Sequence, residues 1–533
     1  MKDYGRLQRG EQRVRFFLTD AVRCVSAVLF LWIAVLIFFF DGDYSYPVKR
    51  YFPVRNYVFV LIVVFFWVLS VIRDWQMNAW EDPDRFDRRI RICTVVLFAV
   101  QVFIGYNIYF ETGWDPGYAI IPGVNALLNG EDINQINGGY FKIYPNNLLL
   151  VHIFYLIQKV SQVLGFTWEQ APLMPIIICN CAISSLTCYL IFVIGKQTAG
   201  RNAAAVGYGI GCVLFGLSGW KVICYSDSFA LFLPILILWL YQKKGIPVVL
   251  RWVLMCLLGY LGYLIKPQVL IVLIAIVIGR LLLRKAGYWL RNWKKVLAAV
   301  CLCAAVVGSV SFGLNRLYAA GGFEANEESQ LSLTHYLMMG FNRETNGAYN
   351  QDDVNLSMSI PTARERSKMN LEVFSQRIGS FDPGSLLKFL SNKMLMNVND
   401  GTFSWGAEGG FFEKIGDNVH TGLSETLRSY YYAWGENYLT LFTLEQGFWI
   451  AVLILNMAGI FGNQARAERE KWLVIELSII GILIFELLFE SRARYLYIYA
   501  PVFILGAMNG MITLGNLSKR CRASLIGKLS EEK

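Results

Sequence analysis

Thirteen apolar runs organise this chain, near 21–41, 56–73, 90–110, 146–164, 173–195, 203–223, 228–242, 246–264, 268–283, 295–314, 447–463, 472–489 and 495–514. Many are long enough to cross a hydrocarbon core about 30 Å thick. A water-soluble core has no room for so many of them. Lipid leaves the backbone no water to bond with, and a helix satisfies its own backbone groups. The predicted fold class is therefore an all-α polytopic membrane protein. The basic start, MKDYGRLQRGEQRVR, precedes an apolar run too long for a cleaved signal peptide, so it reads as an anchor that stays. The net charge of +10 belongs to loop topology and the membrane surface, and no nucleic-acid partner is expected.

Lysine and arginine favour the cytoplasmic side. The N-terminus, the 73–91 loop, the 241–246 loop, the 284–295 loop, the 463–471 loop and the tail are all basic. Counting from each end gives one consistent topology only if a run between Pro145 and Gly195 does not cross. The run at 146–164 contains His152, Gln158, Lys159, Ser161 and Gln162, which predicts a helix lying in the outer interface. About twelve transmembrane helices remain, with both termini cytoplasmic. Asp115, Asp227, Lys266, Arg492 and Arg494 then share the outer face. Four regions follow: a basic tail with two helices (1–89), a membrane module with the outer loop 111–164 (90–314), an outer segment (315–446) and the C-terminal helices and tail (447–533). The outer segment is too long for a bare loop. TARERSKMNLEVFSQRI and GSLLKFLSNKMLM within it predict amphipathic helices, and HYLMMGFNRETNGAYNQDD (335–353) reads as a solvated loop.

The charged residues at the outer edge carry the chemistry. Asp115, in WDPGY, has two readings that are compatible: an N-cap before a proline at the first helical position, and a general base that takes a proton from a hydroxyl attacking a sugar's anomeric carbon. Asp227, in CYSDSF, is a helix N-cap or a second acid that orients the acceptor or holds a divalent ion, Mg or Mn. Lys266, in YLIKPQ, is a snorkelling lysine or a cation for a lipid phosphate. Glu486, Glu490 and Arg494 are spaced by four, which predicts an ion-paired ladder on one helical face, with Arg492 free for a phosphate. Three scattered histidines (His152, His335, His420) make no zinc pattern, and the cysteines read as small core residues. No Walker-type or dinucleotide glycine motif is present, which argues against an ATP-driven pump.

In this order the features resemble the GT-C superfamily of polyprenol-dependent glycosyltransferases, which includes protein O-mannosyltransferases and the aminoarabinose transferases of lipid A. The matching pieces are Asp115 in the first long outer loop, the YP-N-N-LLL helix after it, Asp227 opening a later span, Lys266 with Pro267, and RYLYIYAP from Arg494 to Pro501. The resemblance covers roughly 90–500. It implies a polyprenyl-phosphate sugar donor, an inverting transfer with Asp115 as general base, and Lys266, Arg492 and Arg494 as stabilisers of the leaving lipid phosphate. Glu490, Tyr118 and Tyr144 are expected to support them. The acceptor expected is a cell-envelope glycan, lipid or protein, in a bacterial inner membrane with the active site on the outer face. The chain departs from the family by two extra spans before the acidic loop and by Asp-Pro where mannosyltransferases have paired acids. Two other readings stand beside it: a polysaccharide or lipid transporter or flippase, which would place charges at mid-span with repeat symmetry, and a non-catalytic envelope assembly partner.

Overall fold

The computed structural model describes residues 2–40, 54–77, 82–166, 168–284, 286–415, 421–460, 462 and 466–531. His420 and parts of the basic loops at 73–91 and 463–471 lie outside them. The apolar runs fold as helices. Seven are long and apolar enough to cross a membrane: Phe16–Phe39, Pro83–Asn107, Met174–Thr198, Val248–Ile265, Arg291–Ala320, Tyr438–Ile460 and Ala500–Arg520. Tyr57–Val71, Ser226–Gln242 and Pro267–Leu283 are shorter apolar helices. Among the described residues the strands are limited to a two-residue antiparallel pair, Phe110–Glu111 with Lys414–Ile415. The chain is an all-α polytopic membrane protein.

The Ala500–Glu531 helix forms the axis and packs closely along Tyr438–Ile460. Glycine permits the approach: a Cβ on Gly510 would fall 1.9 Å from the Leu455 carbonyl oxygen, and one on Gly506 would fall 2.2 Å from Oδ1 of Asn456. Asn456 donates to the Val452 and Phe503 carbonyls at 2.9 and 2.8 Å, tying the two helices where an apolar face would only slide. The N-terminal helices also pack on Tyr438–Ile460, so the two extra spans join the C-terminal bundle. The third helix begins at Pro83, capped by the Asp82 carboxylate, and so spans the expected boundary at 89–90. The Arg291–Ala320 stretch has none of its apolar window buried, a surface that only lipid covers favourably.

The run expected at the outer interface folds as the helix Leu148–Val163. Its N-terminal half is buried, while Leu156, Val160, Val163, Leu164 and Phe166 are exposed. His152 lies against Tyr318 with ring centroids 4.9 Å apart and the rings tilted, and Gln158 donates to the Pro172 carbonyl at 2.9 Å.

The segment 315–446, expected on the outer side, is mostly helical among its described residues. The two amphipathic helices occur as Ala363–Gly379, capped by Thr362, and Pro383–Val398, capped by Asp382. The expected solvated loop at 335–353 is instead largely buried around Met338, Met339, Phe341 and Ala348. Asp353 chelates the Arg377 guanidinium at 2.6 and 3.0 Å and accepts from Asn342 at 3.0 Å. His335 bonds the Ser357 hydroxyl at 2.7 Å, and burial pushes its imidazole down to about 4, so it stays neutral. The turn formers there serve a packed core.

Candidate functional site

The loop that carries Asp115 is zipped to the outer segment. Beyond the Phe110–Glu111 pairing, the Gly113 amide donates to the Gly410 carbonyl at 2.7 Å. The chain then turns through Pro116–Ile120, a wide helical turn. Its tightness depends on Gly117, where a Cβ would fall 1.5 Å from the Thr112 carbonyl oxygen. The N-cap reading of Asp115 fails: its side chain caps nothing and accepts a 2.8 Å hydrogen bond from the Tyr225 hydroxyl. The residue is partly exposed.

Asp227 does not cap its helix either. Tyr225 occupies that position without a side-chain bond, and Asp227 lies in the first turn, fully buried. Lys266 pairs with its Oδ1, and the Arg494 Nη1 lies 2.9 Å from its Oδ2. Lys266 sits in an extended break between Val248–Ile265 and Pro267–Val269, where the following proline disfavours helix, and its ammonium also lies 4.7 Å from the Tyr495 ring.

The expected ladder does not form. The preceding helix, Arg466–Leu488, ends at Leu488, and a new helix starts at Ala493, so Glu486, Glu490 and Arg494 share no helical face. Glu486 is buried with neither carboxylate oxygen hydrogen-bonded. Glu490 pairs with Arg492 Nε at 3.2 Å. Arg494 turns to Asp227, and its guanidinium lies 4.9 Å from the Trp114 ring, 4.8 Å from Tyr495 and 5.6 Å from Tyr225.

Glu408 completes the cluster, and no sequence reasoning singled it out. Its carboxylate bridges both arginines, pairing with Arg492 Nη1 and lying 2.9 Å from Arg494 Nε. Burial alone would raise its pKa; the Arg492 and Arg494 guanidiniums outweigh that and hold the carboxyl below the usual carboxylate range. Lys266, Arg492 and Arg494 are 4, 8 and 6% exposed. They face Asp227, Glu408 and Glu490, so three cations meet three anions. Such pairing is what makes burial of so much charge tolerable. Lys393, also missed, is buried beside the cluster and donates to the Gly340 and Phe489 carbonyls at 2.5 and 2.8 Å. Burial pushes its ammonium down to about 7.

Of the residues singled out from sequence, Asp115, Asp227, Lys266, Glu490, Arg492 and Arg494 converge. Tyr144 sits at the rim with its ring 4.9 Å from Tyr140; burial raises its phenol first, and the fields of Tyr349, Asp115 and Glu490 add to that. Tyr118 stays outside the network, half exposed and edge-on to Tyr140 at 6.4 Å. The metal role foreseen for Asp227 does not fit, because both its oxygens are engaged by cations. Among the described residues no three His, Cys, Asp or Glu side chains converge to hold an ion. What the arrangement offers is one accessible carboxylate beside a buried, charge-balanced pair of arginines.

No curated protein and no solved structure matches the chain. A family model described as a conserved hypothetical integral membrane protein matches residues 53–512, from ahead of the second helix into the last one and through every segment of the cluster. The chain belongs to that family of integral membrane proteins.

Proposed function

We propose that this protein is a glycosyltransferase of the GT-C type, which moves a sugar from a polyprenyl-phosphate donor to an extracytoplasmic acceptor with inversion. The observation that carries the reading is the meeting of Asp115 with Arg494 across Trp114 and Tyr225. In the reaction, Asp115 takes the proton from the acceptor hydroxyl as its oxygen bonds to the anomeric carbon. The bond from that carbon to the phosphate oxygen breaks, and its electron pair leaves with the lipid phosphate. Negative charge grows on that phosphate, so Arg494, Arg492 and Lys266 stabilise the transition state more than the ground state. Tyr225 holds Asp115 in position for the transfer.

The reading includes a topology of twelve spans in a bacterial inner membrane, with both termini cytoplasmic. The ten apolar helices described above are joined by Arg201–Gly211 with its continuation to Gly216 and by Arg466–Leu488, while Leu148–Val163 lies in the outer interface. Single cysteines at positions 142 and 164, in a background lacking reactive thiols, are expected to react with an impermeant maleimide from the same, outer side. Labelling from opposite sides overturns the interfacial assignment.

The test of function is transfer from a polyprenyl-phosphate sugar by the purified protein in nanodiscs. Arg494→Ala is expected to lower kcat/KM for the lipid donor by about tenfold or more, the cost of losing a buried cationic contact. A wild-type protein without transfer, or a variant with unaltered donor dependence, sinks the proposal.

A further inference from the structure

Resting on the reading of Arg492 and Arg494 as the phosphate site, we propose that Glu408 is an internal substitute for that phosphate, displaced when a phosphate ester arrives. A pair of arginines is expected to attract phosphate through its forked donors, yet here the pair is already neutralised. Glu408 presents two oxygens, one to Arg492 and one to Arg494, as two oxygens of a phosphate would. Asp227 and Glu490 each meet the cluster from its flanks, one beside Lys266 and the other two residues before Arg492. Glu408 pairs with both guanidiniums.

The setting of Glu408 suits exchange. Asp227 and Glu490 belong to a helix and to the short link between two helices, whereas Glu408 comes from the outer segment, in the turn Ala407-Glu408-Gly409-Gly410. Gly406 and Gly410 hold φ near +67 and +64, conformations open to glycine, and a Cβ on Gly409 would meet nothing within 4 Å. Ala407 and Glu408 face inward and are buried, whereas Gly409 and Gly410 are exposed, so the turn is packed on one side only. Its departure would also be felt by the base. Gly410 is bonded to Gly113, and Phe411 stacks on Trp114 with centroids 6.3 Å apart, so the turn carrying Glu408 leads directly to the residue before Asp115. Arrival of the donor phosphate at the arginines is thereby coupled to the setting of Asp115.

Binding, measured without sugar transfer, separates this proposal from the enzymatic one. Farnesyl phosphate and inorganic phosphate serve as probes for the full-length protein in nanodiscs, with affinity read from intrinsic tryptophan fluorescence. Glu408→Gln removes the competing charge and is expected to tighten phosphate binding by about tenfold or more. The gain should vanish in the double variant Glu408→Gln with Arg494→Ala. A gain with farnesyl phosphate alone assigns the site to a lipid headgroup, and a gain with both probes assigns it to phosphate from either source. Should Glu408→Gln not fold, Glu408→Asp keeps the charge on an arm too short to bridge both arginines, and a smaller gain is expected. Unchanged or weakened binding in the folded variants makes Glu408 a fixed structural counter-ion and overturns the proposal.

Discussion

Asp115→Asn is expected to lower sugar transfer by about 100-fold to 10,000-fold, the usual contribution of a positioned general base. That is roughly 3–5 kcal/mol of transition-state stabilisation. The substitution is nearly isosteric. The amide oxygen still accepts from the Tyr225 hydroxyl, now 2.8 Å from Oδ2, so the turn keeps its anchor. Asparagine cannot take up the acceptor's proton, and this is the property removed. Asp115 is partly exposed and outside the ion-paired cluster, so melting of the purified protein should shift by less than about 1 kcal/mol. Transfer that persists at wild-type rate rejects Asp115 as the base, whatever the protein's stability.

Asp227→Asn should act on stability first. Asp227 is fully buried and is the carboxylate shared by Lys266 and Arg494. Its neutralisation leaves three cations against two anions among the paired side chains, and Lys266 loses its ion-pair partner. Removing one partner of a buried pair typically costs about 3–5 kcal/mol, because the charge left behind has lost its water as well as its counter-ion. Thermal unfolding in detergent measures this. Adding Lys266→Met restores the balance of two against two, so the double variant is expected to recover part of the loss, as coupled neighbours do. A double variant as unstable as the sum of its singles would show that the charges are not balanced as a unit.

The legible part of this chain was its one-dimensional part. Apolar runs near membrane length announce helices, since lipid leaves the backbone no other partners. The amphipathic periodicity of TARERSKMNLEVFSQRI and GSLLKFLSNKMLM announced two helices, and helices occur at Ala363–Gly379 and Pro383–Val398. The polar residues of 146–164 set that helix apart from its neighbours. Loop charge put Asp115, Asp227, Lys266 and the arginines on one side, and the structure brings these residues into one neighbourhood.

What depended on spacing alone went astray where the backbone broke. The ladder from Glu486 to Arg494 assumed a continuous helix, and the helix stops at Leu488. Turn formers usually mark solvated loops, but in the stretch 335–353 Met338, Met339, Phe341 and Ala348 pack inward. The N-cap readings of Asp115 and Asp227 followed from local sequence. Both carboxylates instead take distant partners, a tyrosine hydroxyl for Asp115 and two cations for Asp227. Glu408 and Lys393 carried no local signal at all.

The sequence by itself determined the class of molecule, the order of its helices and which charges stand out against the apolar runs, because hydrophobicity and helical period act between near neighbours. Only the tertiary structure decided how those charges are paired. Glu408 lies 84 residues from Arg492, and Asp227 lies 267 from Arg494. A buried charge takes whichever counter-ion the fold brings within reach, and that choice is made in three dimensions.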